Sequence, residues 1–318
     1  MKVIDMHCDT ITRLDKQTRL RSNNLQLDLL RMAEHNVALQ NFAIFLDKES
    51  ETTPYETCHH FIDIYQQEMA ENSDLIAPVL TFQDYLENQK TGKMSGVLTM
   101  EEGAPIGDNL DHLAEFYERG VRMLTLTWNY ENAIGFPNMM FADNKKETIT
   151  TPQKGLTPFG IDVVRAMNEM GMIIDVSHGS DQLVQDVLTH TTHPFVASHS
   201  NVREQCFHSR NLPNDLIKAI ANRGGVMGIN FSRDFLTKNS KDSLIEAIVK
   251  HITAFKTIGG IECVGLGSDF DGIPIDPELA DVSKFELIHT ALTKAGFTQQ
   301  ECDKLFFGNV ERLYQTIL

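Results

Sequence analysis

One helix and one strand follow each other directly in the stretch FGIDVVRAMNEMGMIIDVSH, residues 159–178. In its first part, apolar residues recur every three positions, at Ile161, Val164, Met167 and Met170. This spacing predicts a helix with one apolar face. Residues 172–178 then form a continuous apolar run that ends in polar residues, which predicts a buried strand. A helix that leads into a fully buried strand is typical of an α/β protein.

The same alternation extends along the whole chain. Short apolar runs recur between stretches of helical period, at Val3–His7, Val37–Leu46, Ser95–Glu101, Val121–Thr127, Met172–His178, Pro194–His199, Val226–Phe231 and Cys263–Asp269. Eight buried strands alternating with helices predict a single (β/α)8 barrel of the TIM type, with residues 1–318 as one domain. An open doubly wound sheet with a second domain is the alternative, but it needs a glycine-rich turn after the first strand. This chain has His7-Cys8-Asp9-Thr10 at that place.

The connection after the second strand, roughly Asp47 to Lys93, is longer than the others. It contains a helical pattern at Glu56–Asn72 and an apolar segment at Leu75–Leu80. We therefore expect a long helical excursion after the second strand, and the mouth of the barrel is one place for it to lie.

Composition excludes several classes of function. Acidic residues outnumber basic ones by 44 to 28, and no basic block is present, which argues against nucleic-acid binding. The N-terminus lacks the pattern of a signal peptide, and no apolar run approaches the roughly 20 residues of a membrane span. The five cysteines are scattered, without a CxxC pair, so we expect a reduced, cytoplasmic protein without membrane attachment.

Potential metal ligands cluster where the apolar runs end. The ends are His7-x-Asp9, Glu101-Glu102-Gly103, Asp175-Val176-Ser177-His178, Ser198-His199-Ser200 and Asp269-Phe270-Asp271. Because the carboxyl ends of barrel strands form one ring, residues far apart in sequence should meet there. Strand alternation directs His7 and Asp9 to one side and Cys8 to the other. Imidazole and carboxylate ligands without thiolate suit zinc, manganese or iron, and two metals sharing a carboxylate use this set best.

Each of these elements also fits a structural role when it is taken alone. His178 and His199 fit core histidines, Glu101-Glu102 fits a solvated loop, and Asp269-Phe270-Asp271-Gly272 fits a turn. Gly265-x-Gly267 suggests a phosphate loop, but no lysine follows it and the nearby aspartates would repel a phosphate. The common position at strand ends favours the metal site over these separate interpretations.

Together these motifs resemble the membrane dipeptidase (renal dipeptidase) family of dizinc metallopeptidases, whose barrel is of the amidohydrolase type. The resemblance runs nearly end to end. It rests on Asp5-Met6-His7-Cys8-Asp9, Glu101-Glu102-Gly103, residues 122–127, Ile174-Asp175-Val176-Ser177-His178, Ser198-His199-Ser200, Ser209-Arg210-Asn211 and residues 267–272.

The resemblance implies a role for each matching residue. His7 and Asp9 would bind one zinc ion, His178 and His199 the other, and Glu101 would bridge the two. Asp269 would be the acid/base residue, and Arg210 would bind the substrate carboxylate. The implied activity is hydrolysis of dipeptides by a hydroxide that bridges two zinc ions, including L,D-dipeptides. A homodimer is implied in the same way.

One position departs from the family. Its best-known members have a histidine at the end of the fourth strand, where it contacts the substrate carbonyl, whereas this chain has Trp128. An indole donates only one hydrogen bond. We therefore expect Trp128 to act as a pocket wall, with the metals, or Asn129 beside it, stabilising the oxyanion.

Two other functions stay open at this point. Lactonases and phosphotriesterases share the barrel, but they usually have His-x-His on the first strand and a lysine at the end of the fourth. This chain has His7-x-Asp9, and Val121–Trp128 contains no lysine. A non-catalytic binding protein is the second alternative, and only Trp128 favours it.

Overall fold

Eight parallel strands close into a barrel in the computed structural model, which describes residues 1–143, 145–149 and 154–318. The described strands are β1 (Val3–Cys8), β2 (Val37–Phe45), β3 (Ile76–Pro78), β4 (Met94–Glu101), β5 (Val121–Thr125), β6 (Ala142–Asp143), β7 (Thr148–Ile149), β8 (Ile173–Asp175), β9 (Val196–Ala197), β10 (Val226–Ile229) and β11 (Val264–Leu266). Pairing of β2 with β4 closes the ring, β3 lies outside it beside β4, and β6 and β7 form a separate antiparallel pair. The predicted (β/α)8 barrel is confirmed.

Helices surround the barrel between these strands. They are α1 (Leu29–Glu34), α2 (Pro54–Glu71), α3 (Phe82–Lys90), α4 (Leu110–Glu118), α5 (Pro158–Met170), α6 (Asp181–His190), α7 (Asn214–Asn222), α8 (Arg233–Leu236), α9 (Leu244–Gly259), α10 (Phe285–Lys294), α11 (Gln299–Asp303) and α12 (Asn309–Ile317). The helix predicted at residues 159–170 is α5. Its ends follow from local chemistry, because Thr157 caps the N-terminus, Pro158 starts the first turn, and Gly171 ends the helix with a φ of 72°.

The long connection after β2 contacts both ends of the barrel. Asp47, Ser50 and Thr57 line the pocket at the carboxyl ends of the strands. The chain then runs down α2, and β3 pairs with the start of β4, at the opposite end. Only the first part of the predicted excursion therefore lies at the mouth.

The core has two shells. The inner shell fills the barrel with buried side chains from its strands: Ile4, Met6, Leu39, Val97, Met123, Ile173, Val196 and Val226. Tyr85 of α3 and Leu313 and Tyr314 of α12 pack against this shell. The outer shell lies between the strands and the helices. The filled interior leaves the carboxyl ends of the strands as the place for a site.

No described helix is long and apolar enough to cross a membrane. The five cysteines are free thiols and all are buried.

Candidate metal centre and its pocket

The residues predicted to bind metal, together with Asp269, are buried at the carboxyl ends of the barrel strands. Their positions are His7 in β1 and Asp9 just after it, Glu101 at the end of β4, His178 after β8, His199 after β9 and Asp269 after β11. Strands distant in sequence are neighbours in the ring, so these side chains meet in one cluster.

A break in the alternation of β1 brings His7 and Asp9 to the site. Ile4 and Met6 lie inside the barrel, so a regular strand would next direct Cys8 inward. The pairing of β1 with β2 shifts register between Asp5 and Cys8. As a result His7 and Asp9 enter the cluster, while Cys8 packs in the outer shell. The expected arrangement of the three residues is present, but alternation alone does not produce it.

The carboxylate of Glu101 lies among three imidazoles. Its Oε1 is 2.9 Å from Nε2 of His178 and 3.3 Å from Nε2 of His199. Its Oε2 is 3.3 Å from Nε2 of His7. One oxygen thus faces His178 and His199 while the other faces His7, which is the arrangement that a bridging carboxylate needs.

The donor atoms form two overlapping groups. His7, Glu101 and His199 offer ligand atoms within 4.8 Å of one another, and so do His7, Asp9 and Asp269. The rings of His7 and His199 stack with centroids 3.8 Å apart. The groups therefore share His7, whereas the sequence interpretation assigned His7 and His199 to different metals.

Unpaired polar atoms indicate that this cluster fits a metal. Within the described residues, neither ring nitrogen of His7 nor Oδ1 of Asp9 has a hydrogen-bond partner, although all three atoms are buried. Buried polar atoms without partners are costly, so they mark a place where something else binds. Imidazole and carboxylate donors together suit zinc and similar divalent ions.

Two further histidine contacts fix the ring nitrogens that face the cluster. Nδ1 of His199 lies 2.7 Å from the hydroxyl of Ser198, which itself donates to Asp175 at 2.5 Å. Nδ1 of His178 lies 2.9 Å from the amide oxygen of Asn129. Since both Nδ1 atoms donate, both Nε2 atoms keep a free lone pair toward Glu101. Such contacts orient metal ligands in many proteins.

The charges of the cluster are dominated by crowded carboxylates. Burial opposes charging of the His7 ring, but Glu101 and Asp9 outweigh it and raise the pKa of His7 well above its usual value. Burial and the charge of Glu101 raise the pKa of Asp9 well above its usual range. Burial of Glu101 favours its neutral form, but the charge of His7 outweighs this effect and holds the pKa of Glu101 well below the usual value. A divalent cation would relieve this repulsion between carboxylates.

Asp269 faces the same cluster from β11. Its Oδ1 is 3.9 Å from Nε2 of His7, and its Oδ2 accepts a hydrogen bond from Asn230 at 2.8 Å. Burial raises the pKa of Asp269 to about 6. A Cβ on Gly272 would lie 2.5 Å from Oδ1 of Asp269 and 1.9 Å from Asp9, so only glycine fits between the two carboxylates.

Arg210 is a buried cation beside these acidic groups. Its Nη2 donates to the backbone oxygen of His199 at 3.2 Å. Its Nε and Nη1 have no hydrogen-bond partner among residues 1–143, 145–149 and 154–318. Burial lowers its pKa to about 10, which leaves the guanidinium charged at neutral pH. The unpaired N–H groups of Nε and Nη1 on this buried cation are suited to an incoming carboxylate.

The cluster opens into a pocket of about 560 Å³. Trp128 and Asn129 line this pocket, and the Trp128 ring packs edge-on against Phe45 with centroids 4.9 Å apart. Glu102 does not join Glu101 in the cluster. Its carboxylate accepts hydrogen bonds from the backbone N–H of Trp128 at 2.9 Å and of Ala104 at 2.7 Å.

All predicted site residues lie at the cluster or along its pocket, and three supporting contacts go beyond the sequence prediction. Asn230 on Asp269, Ser198 between Asp175 and His199, and Phe45 on Trp128 are not evident from the chain. Asp175 and Ser198 belong to the motifs given above, and each comes shortly before a predicted ligand, His178 and His199. A polar residue in that position is the sequence signal for this contact. Nothing in the sequence around Asn230 distinguishes it from other strand-end residues.

Comparison with known proteins gives one family over almost the whole chain. The sequence model of the membrane dipeptidase family (peptidase family M19) matches residues 1–317. An uncharacterized dipeptidase of Schizosaccharomyces pombe is 31% identical over 343 aligned positions, which cover 99% of this chain and 80% of that protein. A Klebsiella pneumoniae protein from the pqqA 5' region is 35% identical over 269 residues, which cover 80% of this chain and 97% of that protein.

Solved structures give the same fold. Dipeptidase AC, a metallopeptidase of family M19, superposes with a TM-score of 0.90 at 25% identity, covering 100% of this chain and 98% of that one. A Rhodobacter sphaeroides metallopeptidase, solved with a phosphinate mimic of the dipeptide L-Ala-D-Ala, has a TM-score of 0.90 at 24% identity. The superposition covers 100% of this chain and 99% of that one.

Proposed function

The chain belongs to the membrane dipeptidase family and is a metallo-dipeptidase, and we propose that its substrates are dipeptides with a free C-terminal carboxylate. We include dipeptides that end in a D-residue, because the Rhodobacter sphaeroides relative binds a mimic of L-Ala-D-Ala. The observation that carries the proposal is the position of Arg210, a buried guanidinium in the same pocket as the metal-ligand cluster, with Nε and Nη1 unpaired in the described chain.

We propose that five residues hold two zinc ions. His7 and Asp9 would bind one, His178 and His199 the other, and Glu101 would bridge them, which the contacts of its two oxygens support. When bound, the zinc ions supply an activated water nucleophile and polarise the scissile carbonyl. A cytoplasmic location and a homodimer stay predictions.

Asp269 is the proposed acid/base residue. It would take the proton from the attacking water and return it to the leaving amine, since a peptide nitrogen must be protonated before it leaves. Two observations support this role. Asn230 holds Oδ2 at 2.8 Å, and the other oxygen faces the cluster.

Arg210 is the proposed recognition residue for the substrate. A carboxylate binds two parallel N–H groups of a guanidinium side by side, and the second N–H of Nη2 would form such a pair with the unpaired Nε or Nη1. The backbone oxygen of His199, 3.2 Å from Nη2, fixes the clamp next to a proposed zinc ligand. The distance between clamp and scissile bond would then fit one residue, which limits the substrate to dipeptides.

Trp128 is proposed to form the wall for the substrate's N-terminal residue. It follows β5, two strands from β9, the strand that leads to Arg210, and it packs against Phe45 of β2, which lies opposite β9 in the ring. A substrate that spans the cluster from Arg210 would therefore contact this aromatic wall. Stabilisation of the oxyanion would depend on the zinc ions, because an indole, with its single N–H donor, stabilises an oxyanion less well than an imidazole does.

The substrate class is tested by comparing hydrolysis of L-Ala-L-Ala, L-Ala-D-Ala, L-Ala-D-Ala amide, tri-L-alanine and a simple lactone by the zinc-loaded protein. We expect cleavage of the two free dipeptides and much slower cleavage of the amide and the tripeptide. Cleavage of the lactone without cleavage of any dipeptide would overturn the proposal. Equal rates on the amide and the free acid would exclude the Arg210 clamp.

A further inference from the structure

The backbone on both sides of Arg210 is held by side chains from other segments. The carbonyl of Ser209 accepts a hydrogen bond from Nδ2 of Asn138 at 3.2 Å. The carbonyl of Asn211 accepts one from Nε of Arg203 at 2.8 Å. Ser209, Asn211 and Asn138 are almost completely buried, so these bonds are shielded from water. Asn138 and Arg203 therefore help to set the path of the chain through Arg210, together with the bond from the Arg210 backbone N–H to Nδ1 of His208 at 3.1 Å.

Both of these side chains converge on Asp181, the first residue of α6. Arg203 binds its carboxylate with two parallel hydrogen bonds of 2.7 and 2.8 Å. Asn138 donates from Nδ2 to Oδ1 at 2.7 Å, and its own amide oxygen accepts from the backbone N–H of Asp181 at 3.1 Å. The exposed fraction is only 20% for the Asp181 side chain and 11% for that of Arg203. A paired, shielded guanidinium and carboxylate of this kind has a fixed geometry.

The same network reaches the metal-ligand cluster. The backbone N–H of Asn138 donates to the carbonyl of His178 at 3.1 Å. Asp181 therefore connects, through one asparagine, the segment that carries Arg210 with the residue whose Nε2 faces Glu101. These bonds add to the hydrogen bond from Nη2 of Arg210 to the carbonyl of His199, at 3.2 Å, in holding the clamp beside the cluster.

We propose that Asp181 is a positioning residue for Arg210, which holds the substrate-carboxylate clamp at its working distance from the cluster. This inference rests on the proposed role of Arg210. The side chain of Arg210 has one protein hydrogen bond within the described chain, and its guanidinium carbon lies 5.6 Å from the centre of the Phe235 ring. With so few contacts, its position also depends on the position of its backbone. Without the Asp181 carboxylate, Arg203 loses its partner, and the bonds to Ser209 and Asn211 lose the group that joins them.

The test is Asp181→Asn, measured for KM and kcat on L-Ala-D-Ala, bound zinc and melting temperature. We expect KM to rise about 10-fold or more, because small misplacements of a binding group are costly, while kcat and zinc content change little. The matched control is Asp162→Asn, which breaks the exposed pair of Asp162 with Arg165 on α5. That control should leave KM unchanged.

A purely structural role for Asp181 is separated from positioning by a double-mutant cycle. In an Arg210→Met background, Asp181→Asn should raise KM no further, because the clamp is already absent. Additive effects on KM, or loss of kcat and zinc at constant KM, would overturn the positioning role. Arg203→Lys provides a second variant if Asp181→Asn does not fold. It keeps the charge beside Asp181 and removes the bond to Asn211, and we expect the same rise in KM.

Failure of this inference is distinguishable from failure of the proposed function. Wild-type protein that cleaves no dipeptide would reject the function itself. Wild-type activity with a raised KM in Arg210→Met, but an unchanged KM in both Asp181→Asn and Arg203→Lys, would reject only the positioning role.

Discussion

Asp175 and Ser198 are joined by two hydrogen bonds that cross from β8 to the end of β9. The backbone N–H of Ser198 donates to Oδ1 at 2.9 Å, and its hydroxyl donates to Oδ2 at 2.5 Å. Because that hydroxyl proton is directed to Asp175, the Ser198 oxygen accepts the Nδ1 proton of His199 at 2.7 Å. The pair therefore determines that Nε2 of His199 is the nitrogen available to a metal.

Ser198→Ala should weaken zinc binding without removing any ligand. The orientation of the His199 ring would no longer be fixed, and loss of such a contact typically lowers metal affinity about 10- to 100-fold. Competition with a chromogenic chelator measures the change. Ser50→Ala is the control, since Ser50 lines the same pocket and its hydroxyl donates within its own turn, to the backbone oxygen of Asp47 at 3.1 Å. Unchanged zinc affinity in Ser198→Ala would contradict the role of the pair.

Glu101→Gln should lose bound zinc and nearly all activity. An amide offers only one oxygen and no negative charge, so it cannot serve two ions that face its two oxygens. Zinc content by elemental analysis, together with the rate on L-Ala-D-Ala, measures the effect. Retention of two zinc ions per chain in Glu101→Gln would show that this residue is not the bridge.

Glu102→Gln is the neighbouring control, and it should keep its zinc. The Glu102 carboxylate accepts from the backbone N–H groups of Trp128 and Ala104, so an amide there leaves a donor without an acceptor. A stability loss of about 1–3 kcal/mol is expected, visible as a lower melting temperature. If Glu102→Gln loses both zinc ions while Glu101→Gln retains them, the assignment of the two glutamates is reversed.

Arg210→Met should raise KM for free dipeptides about 10- to 100-fold and leave zinc content unchanged, because it removes charged hydrogen bonds to the substrate. Steady-state kinetics on L-Ala-D-Ala measure this. Arg13→Met is the matched control, since Arg13 lines the same pocket while its Nε is engaged by the backbone of Asp271. A rise in KM no larger than in the Arg13 variant would contradict the clamp.

Variants of Trp128 separate a wall from a catalytic donor. Trp128→His should keep or raise activity, because it restores an imidazole at that position. Trp128→Ala should mainly change KM and the preference for the N-terminal residue of the dipeptide, because it removes the apolar surface beside Phe45. Rates on Gly-D-Ala, Ala-D-Ala and Leu-D-Ala measure the preference. Loss of turnover in Trp128→Phe, which keeps the wall without the N–H, would assign catalysis to the indole.

The barrel was predictable because its strands are buried on both sides and appear as continuous apolar runs. The positions where the strands end are predicted less accurately, for a physical reason. The run predicted at Met172–His178 pairs only over Ile173–Asp175, because the chain then turns so that His178 adopts a φ of 68°. The residues that leave the sheet early are those that enter the site.

The proposed ligands were predictable as residues at strand ends, whereas their supporting contacts were not. Asn230 contacts Asp269, and Asp181 contacts Arg203, only because segments far apart in sequence meet in the folded barrel. Alternation placed His7 and Asp9 on one side, but the register shift in β1 that brings them to the site depends on its pairing with β2. Such contacts need the folded chain.

The most direct test of the paired metal centre is a zinc titration of the chelator-treated protein, followed by the rate of L-Ala-D-Ala hydrolysis. The account predicts that the rate reaches its maximum when two equivalents of zinc are bound per chain. It also predicts no recovery in Glu101→Gln at the same zinc concentrations. Full activity at one equivalent, or no hydrolysis with two equivalents bound, would contradict it.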